Sequence, residues 1–155
     1  MTTAAAVATH PSGNRFELVM EPDPSRVALT RRVTERHLRR WGMPMPLAED
    51  VLLAVSELVT NAVCHGHGGT VGLRVQYAVG KLTVEVSDGN PVPARSRSAG
   101  ERDEHGRGLL IVAALSDDWG ASLDGVRTWC TFTAPVSRNT RWCGDRDTSF
   151  KDAAR

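Results

Sequence analysis

The chain has 155 residues, 41% of them hydrophobic, which is enough for one compact domain with a core of its own. Its 19 basic and 18 acidic side chains give a formal net charge of +1, and this balance argues against a dedicated nucleic-acid binder, which usually carries a basic excess. The three cysteines show no CxxC spacing, which disfavours a disulfide framework and a zinc site.

The sequence carries no targeting or membrane signal. No apolar run approaches the roughly 18 residues that cross a bilayer. Residues 1–10 have neither the charged start nor the apolar middle of a signal peptide. We therefore expect a soluble, cytoplasmic protein with no membrane and no nucleic acid among its partners.

Composition divides the chain into three regions. Residues 1–14 are rich in Ala and Thr, nearly uncharged and without periodicity, which predicts a disordered segment. Residues 137–155 mix Arg, Asp, Ser and Gly, which predicts a flexible tail. Residues 15–136 carry regular patterns and form the predicted domain.

The predicted domain begins with a strand and a helix. Apolar and polar residues alternate over Arg15–Met20, which predicts a strand. Asp23 and Pro24 then follow the pattern of an N-cap and a proline at the first helical position. The helix ends at Gly42 and Pro44, and its predicted buried side consists of Val27, Thr30, Thr34, Leu38 and Trp41.

A second helix is predicted to start near Pro46 and to end in the glycines between residues 66 and 69. Glu49 and Asp50 lie in its first turn, where the helix dipole favours acidic side chains. Its predicted buried stripe consists of Leu47, Val51, Val55, Leu58, Val59 and Ala62.

Two hairpins and a third helix complete the prediction. Residues 71–79 and 82–87 alternate around Gly80-Lys81, and residues 119–123 and 126–134 flank Asp124-Gly125, so both pairs are typical of hairpins. Between them, residues 88–105 predict a loop and residues 108–115 a helix. This order predicts an α+β fold, a two-layer sandwich whose mixed, mostly antiparallel sheet is covered by helices on one face.

The first candidate motif is Glu57-Leu-Val-Thr-Asn61 in the second helix. Residues four apart share a helix face, so Glu57 and Asn61 project together, away from most of the predicted buried stripe. The amide oxygen of Asn61 suits Mg²⁺, and Glu57 can accept a proton from an attacking hydroxyl group or water. The alternative interpretation is a solvated helix face.

The second motif is Ser87-Asp88-Gly89-Asn90-Pro91 at the end of a predicted strand. Asp-Gly is typical of a hairpin turn, but the prolines that follow do not suit a paired strand. A carboxylate at a strand end, followed by a glycine that permits close approach, could instead hold an amino-bearing ring such as adenine. Both interpretations stay open on these residues alone.

The third motif is Gly106-Arg107-Gly108-Leu109, which opens an apolar helix. Backbone N–H groups at a helix start bind anions, and glycines let a phosphate come close. The spacing matches neither a Walker A loop nor the GxGxxG fingerprint. A flexible helix entry with two glycines is the alternative.

In this order, the three motifs resemble those of the GHKL (Bergerat-fold) ATPases, which include gyrase-type subunits, sensor histidine kinases and anti-sigma-factor serine kinases. The Glu57-Leu-Val-Thr-Asn61 motif is similar to the N box of that family, Asp88-Gly89 to its G1 box, and Gly106-Arg107-Gly108-Leu109 to its G2 box. The resemblance covers about residues 16–135 and is strongest to the anti-sigma kinase branch. One departure is Asn90, which stands where the G1 box usually has glycine.

The resemblance implies that ATP lies between the helices and the sheet, under a lid of residues 91–105, with Mg²⁺ as a second cofactor. It assigns Asp88 to the adenine amino group, Asn61 to Mg²⁺ and Glu57 to the proton of an attacking serine hydroxyl. The other implied groups are Arg107 against the charge of the transferring phosphoryl group, the backbone of Gly106 and Gly108 at the phosphates, and Gly89 and Leu109 in the rest of the cofactor site.

The resemblance also implies two protein partners, an anti-sigma-factor antagonist that supplies the serine and a sigma factor that is sequestered, and it allows a homodimer. The first helix carries a basic bias, since Glu35 is the acidic residue among six arginines, namely Arg26, Arg31, Arg32, Arg36, Arg39 and Arg40. This bias predicts either a solvated helix face or a surface that docks an acidic partner.

Two alternative functions follow from the same residues. One is a non-catalytic module that holds a nucleotide loosely and regulates a partner by sequestration, which the departure at Asn90 favours. The other is a simple ATPase in which Glu57 activates water.

Overall fold

Three helices lie on one face of a six-stranded sheet in the computed structural model, which describes residues 6–9, 14–66, 68–88, 104–123 and 125–136. In chain order the elements are β1 (Ala6–Thr9), β2 (Arg15–Met20), α1 (Arg26–Arg40), α2 (Met45–His65), β3 (Val71–Ala78), β4 (Lys81–Ser87), α3 (Glu104–Leu115), β5 (Asp118–Ala121) and β6 (Arg127–Thr133). The α+β prediction and the predicted order of elements from β2 onwards are confirmed.

The strands of the sheet lie in the order β1-β2-β3-β4-β6-β5, and each neighbouring pair described is antiparallel. The sheet is therefore antiparallel rather than mixed. The connection from β4 through α3 brings β5 back in the same direction as β4, as in a βαβ unit. However, β6 then folds back between those two strands, so the two parallel strands never become neighbours.

The N-terminal strand β1 lies inside the segment for which the sequence predicts disorder. Its four residues pair with β2, with Ala6 opposite Val19 and Thr9 opposite Phe16. A strand of four small or β-branched residues has no periodicity long enough to detect in the sequence. Its order comes from backbone hydrogen bonds to β2, which only the assembled sheet provides.

The core lies between the sheet and the helices. The inward-facing side chains of β2, β3, β4 and β6 are buried, and α2 packs on them with the stripe predicted from its sequence. The largest fully buried side chains are Phe16, Leu18, Leu38, Leu73, Leu82, Val51, Val55, Val59, Val71, Val75, Val84 and Val112. Among the described helices, none is both long enough and apolar enough to span a bilayer.

Two helices begin at other residues than predicted. The first turn before α1 is held by Asp23, whose carboxylate accepts a hydrogen bond from the Ser25 N–H at 2.9 Å. Regular helix starts only at Arg26, so Asp23 caps a turn rather than the helix. Helix α3 starts at Glu104, four residues before the predicted start, because its polar first turn contains no apolar residue that periodicity could detect.

The outer face of the sheet carries a row of charges of alternating sign. Arg74 lies 2.9 Å from Glu17 and 3.4 Å from Glu85, and Arg15 and Arg127 extend the row on either side. The hydrogen bond from Arg15 holds the pKa of the Glu17 carboxyl below its usual value, and the hydrogen bond from Arg74 adds to this effect. A cavity of about 210 Å³ lies on this same face. The ion pairs of Arg74 and Arg127 connect neighbouring strands on the face of the sheet that is turned away from the helices.

Candidate functional site

The candidate site is built around the C-terminal half of α2, and its closest contact is with α3. A Cβ atom on Gly108 of α3 would lie 2.8 Å from Oε2 of Glu57 and 3.7 Å from the Cβ of that residue. A carbon atom and an oxygen atom that are not bonded do not approach this closely, so one of the two residues would have to shift. Glycine at position 108 therefore lets the Glu57 carboxylate lie against α3, and a side chain there would displace that carboxylate.

Glu57 and Asn61 lie one turn apart on α2, and both are partly buried. Among the described residues, neither side chain has a hydrogen-bond or ion-pair partner. Asp50 is also partly buried and stands seven residues before Glu57 on the same helix face. This face offers an amide oxygen, which is a ligand type for Mg²⁺, and a carboxylate oxygen, which can also accept a proton.

Asp88 lies where β4 ends and is held there by backbone groups. Its N–H donates to the Val126 carbonyl at 3.1 Å, and its carbonyl accepts the Gly68 N–H at 3.1 Å. Gly66, which caps the end of α2, approaches so closely that a Cβ atom on it would lie 3.2 Å from the Asp88 Cβ. Asp88 is therefore locked against the end of the helix that carries Asn61.

The residues of the third motif divide between two environments. Gly106 lies in the first turn of α3, where backbone N–H groups have no partner within the helix, and Arg107, the next residue, is exposed. Gly108 is the residue after Arg107, and its N–H fits the hydrogen bond to the Glu104 carbonyl within the helix. Leu109 is buried in the core, which gives it a packing role.

The structure therefore gathers Glu57, Asn61, Asp88 and Gly108 around one half of α2. Gly89, Asn90 and residues 91–103 of the expected lid lie outside the described residues, as does the tail of residues 137–155. The sequence pattern gives Gly66 no role in the site, because a glycine after a helix predicts only the end of that helix. Nothing in the sequence indicates that this glycine faces Asp88.

A comparison with protein-family models matches residues 20–134 to the histidine kinase-like ATPase domain. The match spans most of the chain and includes all four residues gathered around α2. The chain belongs to the histidine kinase-like ATPase domain family. No curated protein sequence matches it.

Membership of this ATPase family implies that the domain binds ATP. The described residues fit such a ligand in two respects. First, Glu57 and Asn61 present oxygen atoms that have no partner among the described residues, and such atoms suit a magnesium-bound triphosphate better than an apolar ligand. Second, Gly66 lies nine positions after Glu57, which corresponds to about 13 Å along the helix axis, so an extended nucleotide can lie between Gly108 and Asp88. The individual roles of these residues stay predictions.

Proposed function

We propose that this ATPase domain is a protein serine kinase that phosphorylates an anti-sigma-factor antagonist and also sequesters a sigma factor in the cytoplasm. The observation that carries the proposal is the position of Glu57 on α2. Its carboxylate lies beside the N-terminal turns of α3 and one turn from Asn61, and no side chain among the described residues neutralises it. A base in this position suits transfer of a phosphoryl group to a hydroxyl group.

In this proposal the base of ATP lies at Asp88 and the triphosphate extends towards Gly106 and Arg107. Asp88 accepts a hydrogen bond from the exocyclic amino group of adenine. The free N–H groups of the first turn of α3 face the phosphates, where the helix dipole favours negative charge. Arg107 is exposed on that turn and is available to a charged group that approaches from solvent.

The chemical step needs one base and one source of charge neutralisation. Mg²⁺ would be held through Asn61 and would neutralise part of the phosphate charge. The serine oxygen of the partner bonds to the γ-phosphorus while the bond from that phosphorus to the bridging oxygen of ADP breaks. The hydroxyl proton passes to Glu57, and ADP leaves with the electron pair of the broken bond.

The proposed partner surface is the exposed side of α1, which we call the arginine face and define as Arg32, Arg36 and Arg40. These residues are exposed and spaced four apart, so they form one stripe. The neighbouring arginines are engaged within the domain, Arg31 with Ser56 at 2.7 Å and Arg39 with Glu35 at 2.9 Å. An acidic surface on a sigma factor or its antagonist is the complementary partner.

The decisive experiment is Mg²⁺-ATP binding measured by calorimetry for the wild type and the Asn61→Ala variant. We expect magnesium-dependent binding that the substitution strongly weakens. The matched control is Thr60→Ala, because Thr60 is the exposed neighbour of Asn61 on the same helix. Equal binding by wild type and Asn61→Ala would remove Asn61 from the site, and no binding by the wild type would favour the sequestration module.

Kinase activity is tested by incubating the chain with γ-labelled ATP, with and without an extract of its own cells. The proposal predicts an acid-stable phosphoserine on an extract protein, and little ATP turnover without the extract. Rapid ATP hydrolysis by the chain alone would instead favour the simple ATPase. Absence of transfer despite tight ATP binding would contradict the kinase assignment.

A further inference from the structure

We infer that Gly66 is a positioning residue that fixes Asp88 for recognition of the nucleotide base. The inference rests on the proposed function, because it takes Asp88 as the acceptor for the amino group of adenine. Gly66 itself would not touch the nucleotide. It would act by letting the end of α2 lie directly against the end of β4.

The backbone conformation at Gly66 does not require glycine. Its φ of −66° and ψ of 146° lie in the extended region that every residue adopts. Gly80 is different, because its φ of +74° lies in the left-handed region that favours glycine. Gly66 is therefore explained by the space around it rather than by its dihedral angles.

The space around Gly66 is occupied by Asp88 and by the helix end. A Cβ atom there would lie 2.9 Å from the Asp88 carbonyl oxygen and 3.2 Å from the Asp88 Cβ, and it would also meet the Ala62 carbonyl. That Ala62 carbonyl already accepts the Gly66 N–H at 2.8 Å. No rotation of a side chain at position 66 would relieve these contacts, because they are made by its Cβ atom with the backbone carbonyl groups of Ala62 and Asp88.

Backbone groups on both sides of Asp88 make this contact stiff. The Asp88 carbonyl accepts the Gly68 N–H, and the Asp88 N–H donates to Val126 next to β6. A methyl group at position 66 would push directly on the Cα–Cβ bond that aims the carboxylate. Ordinary van der Waals contact begins at about 3.4 Å, so the Asp88 carbonyl oxygen would have to shift by about 0.5 Å, and the Ala62 carbonyl, which lies nearer still, would have to shift further. A hydrogen bond weakens markedly over such a displacement.

A purely structural role for Gly66 makes a different prediction. If the glycine only ends α2, replacing it weakens the fold and lowers the affinity for every nucleotide alike. If it positions Asp88, replacing it lowers the affinity for bases that carry the amino group and leaves other bases unaffected. Adenosine and inosine triphosphates test the difference, because inosine carries an oxygen where adenine carries the amino group.

The experiment compares ATP and inosine triphosphate binding by calorimetry for the wild type, Gly66→Ala and Gly69→Ala. Gly69 is the matched control, because a Cβ atom there meets nothing within 4 Å and the residue lies three positions away in the same connection. We expect the wild type and Gly69→Ala to prefer ATP by about tenfold or more, as one hydrogen bond to a charged group provides. In Gly66→Ala this preference should fall to about threefold or less.

The outcomes separate the inference from the proposed function. If the wild type binds neither nucleotide, the proposed function fails and the inference fails with it. If the wild type prefers ATP and Gly66→Ala keeps that preference, only the inference is overturned. In the double variant Gly66→Ala/Asp88→Ala, ATP should bind no more weakly than in Asp88→Ala alone, and additive losses would contradict action through Asp88.

A measurement on the wild type covers the case in which Gly66→Ala does not fold. The Gly68 N–H bonds to the Asp88 carbonyl, so its hydrogen exchange reports how firmly Asp88 is held. ATP should slow this exchange more than inosine triphosphate does at equal saturation. Equal protection by the two nucleotides would count against coupling between this glycine connection and the base.

Discussion

Gly108 and Glu57 meet at the crossing of α3 and α2, where a Cβ atom on the glycine would lie 2.8 Å from the carboxylate Oε2. The contact is to the end of a flexible side chain rather than to backbone. A larger residue at position 108 would therefore move the carboxylate and leave the helices in place. The absence of a side chain at Gly108 thus sets the position of the proposed base.

Gly108→Ala should separate activity from stability. Alanine favours a helix interior over glycine by about 0.5–1 kcal/mol, and only the Glu57 carboxylate has to move. We expect the melting temperature to stay equal or rise, while phosphoryl transfer falls by about 10- to 100-fold because the base is displaced. Differential scanning calorimetry and a transfer assay measure the two effects.

The control for Gly108→Ala is Ala114→Ser, which changes an exposed position on the same helix. It should leave transfer unchanged. A Gly108→Ala variant with wild-type activity would show that the position of Glu57 is not critical. A large loss of stability would show that the helices, rather than the carboxylate, absorb the new methyl group.

Glu57→Ala should lower phosphoryl transfer by about 10²–10⁴-fold and leave ATP binding intact, because the residue is proposed as a base and not as a ligand of the nucleotide. Transfer is measured with γ-labelled ATP, and binding by calorimetry. Unchanged transfer would remove Glu57 from the chemistry. Lost binding would instead assign it to the ATP site itself.

Reversal of charge on the arginine face should weaken partner binding without affecting the fold. Arg32→Glu/Arg36→Glu places acidic groups on an exposed stripe, so an acidic partner should associate more slowly and with a weaker dependence on salt. Surface plasmon resonance with a protein that copurifies with the wild type measures the rates at low and high salt. Lys81→Glu, an exposed charge reversal on β4, is the control. Equal rates for all variants would contradict docking on α1.

Glu17 should contribute stability that depends on pH. Arg15 and Arg74 hold its pKa below the ordinary value of 4.5, so the folded protein binds fewer protons there than the unfolded chain. This stabilisation is fully present above pH 4.5 and is lost as the pH falls through the lowered pKa. Because the side chain is one-third exposed, we expect at most about 1 kcal/mol.

The measurement for Glu17 is the urea midpoint of the wild type and Glu17→Gln over a series of pH values. The variant should be less stable at neutral pH, and the two curves should converge in acid. Glu21→Gln changes an exposed carboxylate just after β2 and serves as the control. A difference that stays constant in acid would mean that the loss is not electrostatic.

Val79→Asn should stabilise the β3–β4 hairpin. Val79 and Gly80 form the turn with φ values of 49° and 74°, a left-handed pair that Asn-Gly adopts and that strains a β-branched residue. Val79 is 97% exposed, so its replacement removes almost no buried apolar surface. We expect a gain of about 1 kcal/mol in the free energy of unfolding, measured by urea titration. A loss of stability would mean that the valine makes contacts in solution that outweigh the strain.

The position of the turn in this hairpin could not be predicted from the sequence pattern. The alternation of residues predicts both strands, but it places the turn at Gly80-Lys81, one residue too late. Valine at a positive φ is uncommon enough that no propensity predicts it. The register of β3 with β4 pairs Ala78 with Lys81, which leaves Val79 and Gly80 as a two-residue turn.

Local chemistry in the sequence determines the fold class, the buried stripes of α1 and α2 and the helix face shared by Glu57 and Asn61, because each follows from periodicity along one segment. The antiparallel sheet, the strand at Ala6–Thr9 and the start of α3 required the tertiary structure, because each depends on a partner far away in sequence. The same holds for the glycines. Gly66 and Gly108 are ordinary helix breakers in the sequence, and only the packing of α2 against Asp88 and α3 makes each of them a contact with a carboxylate residue.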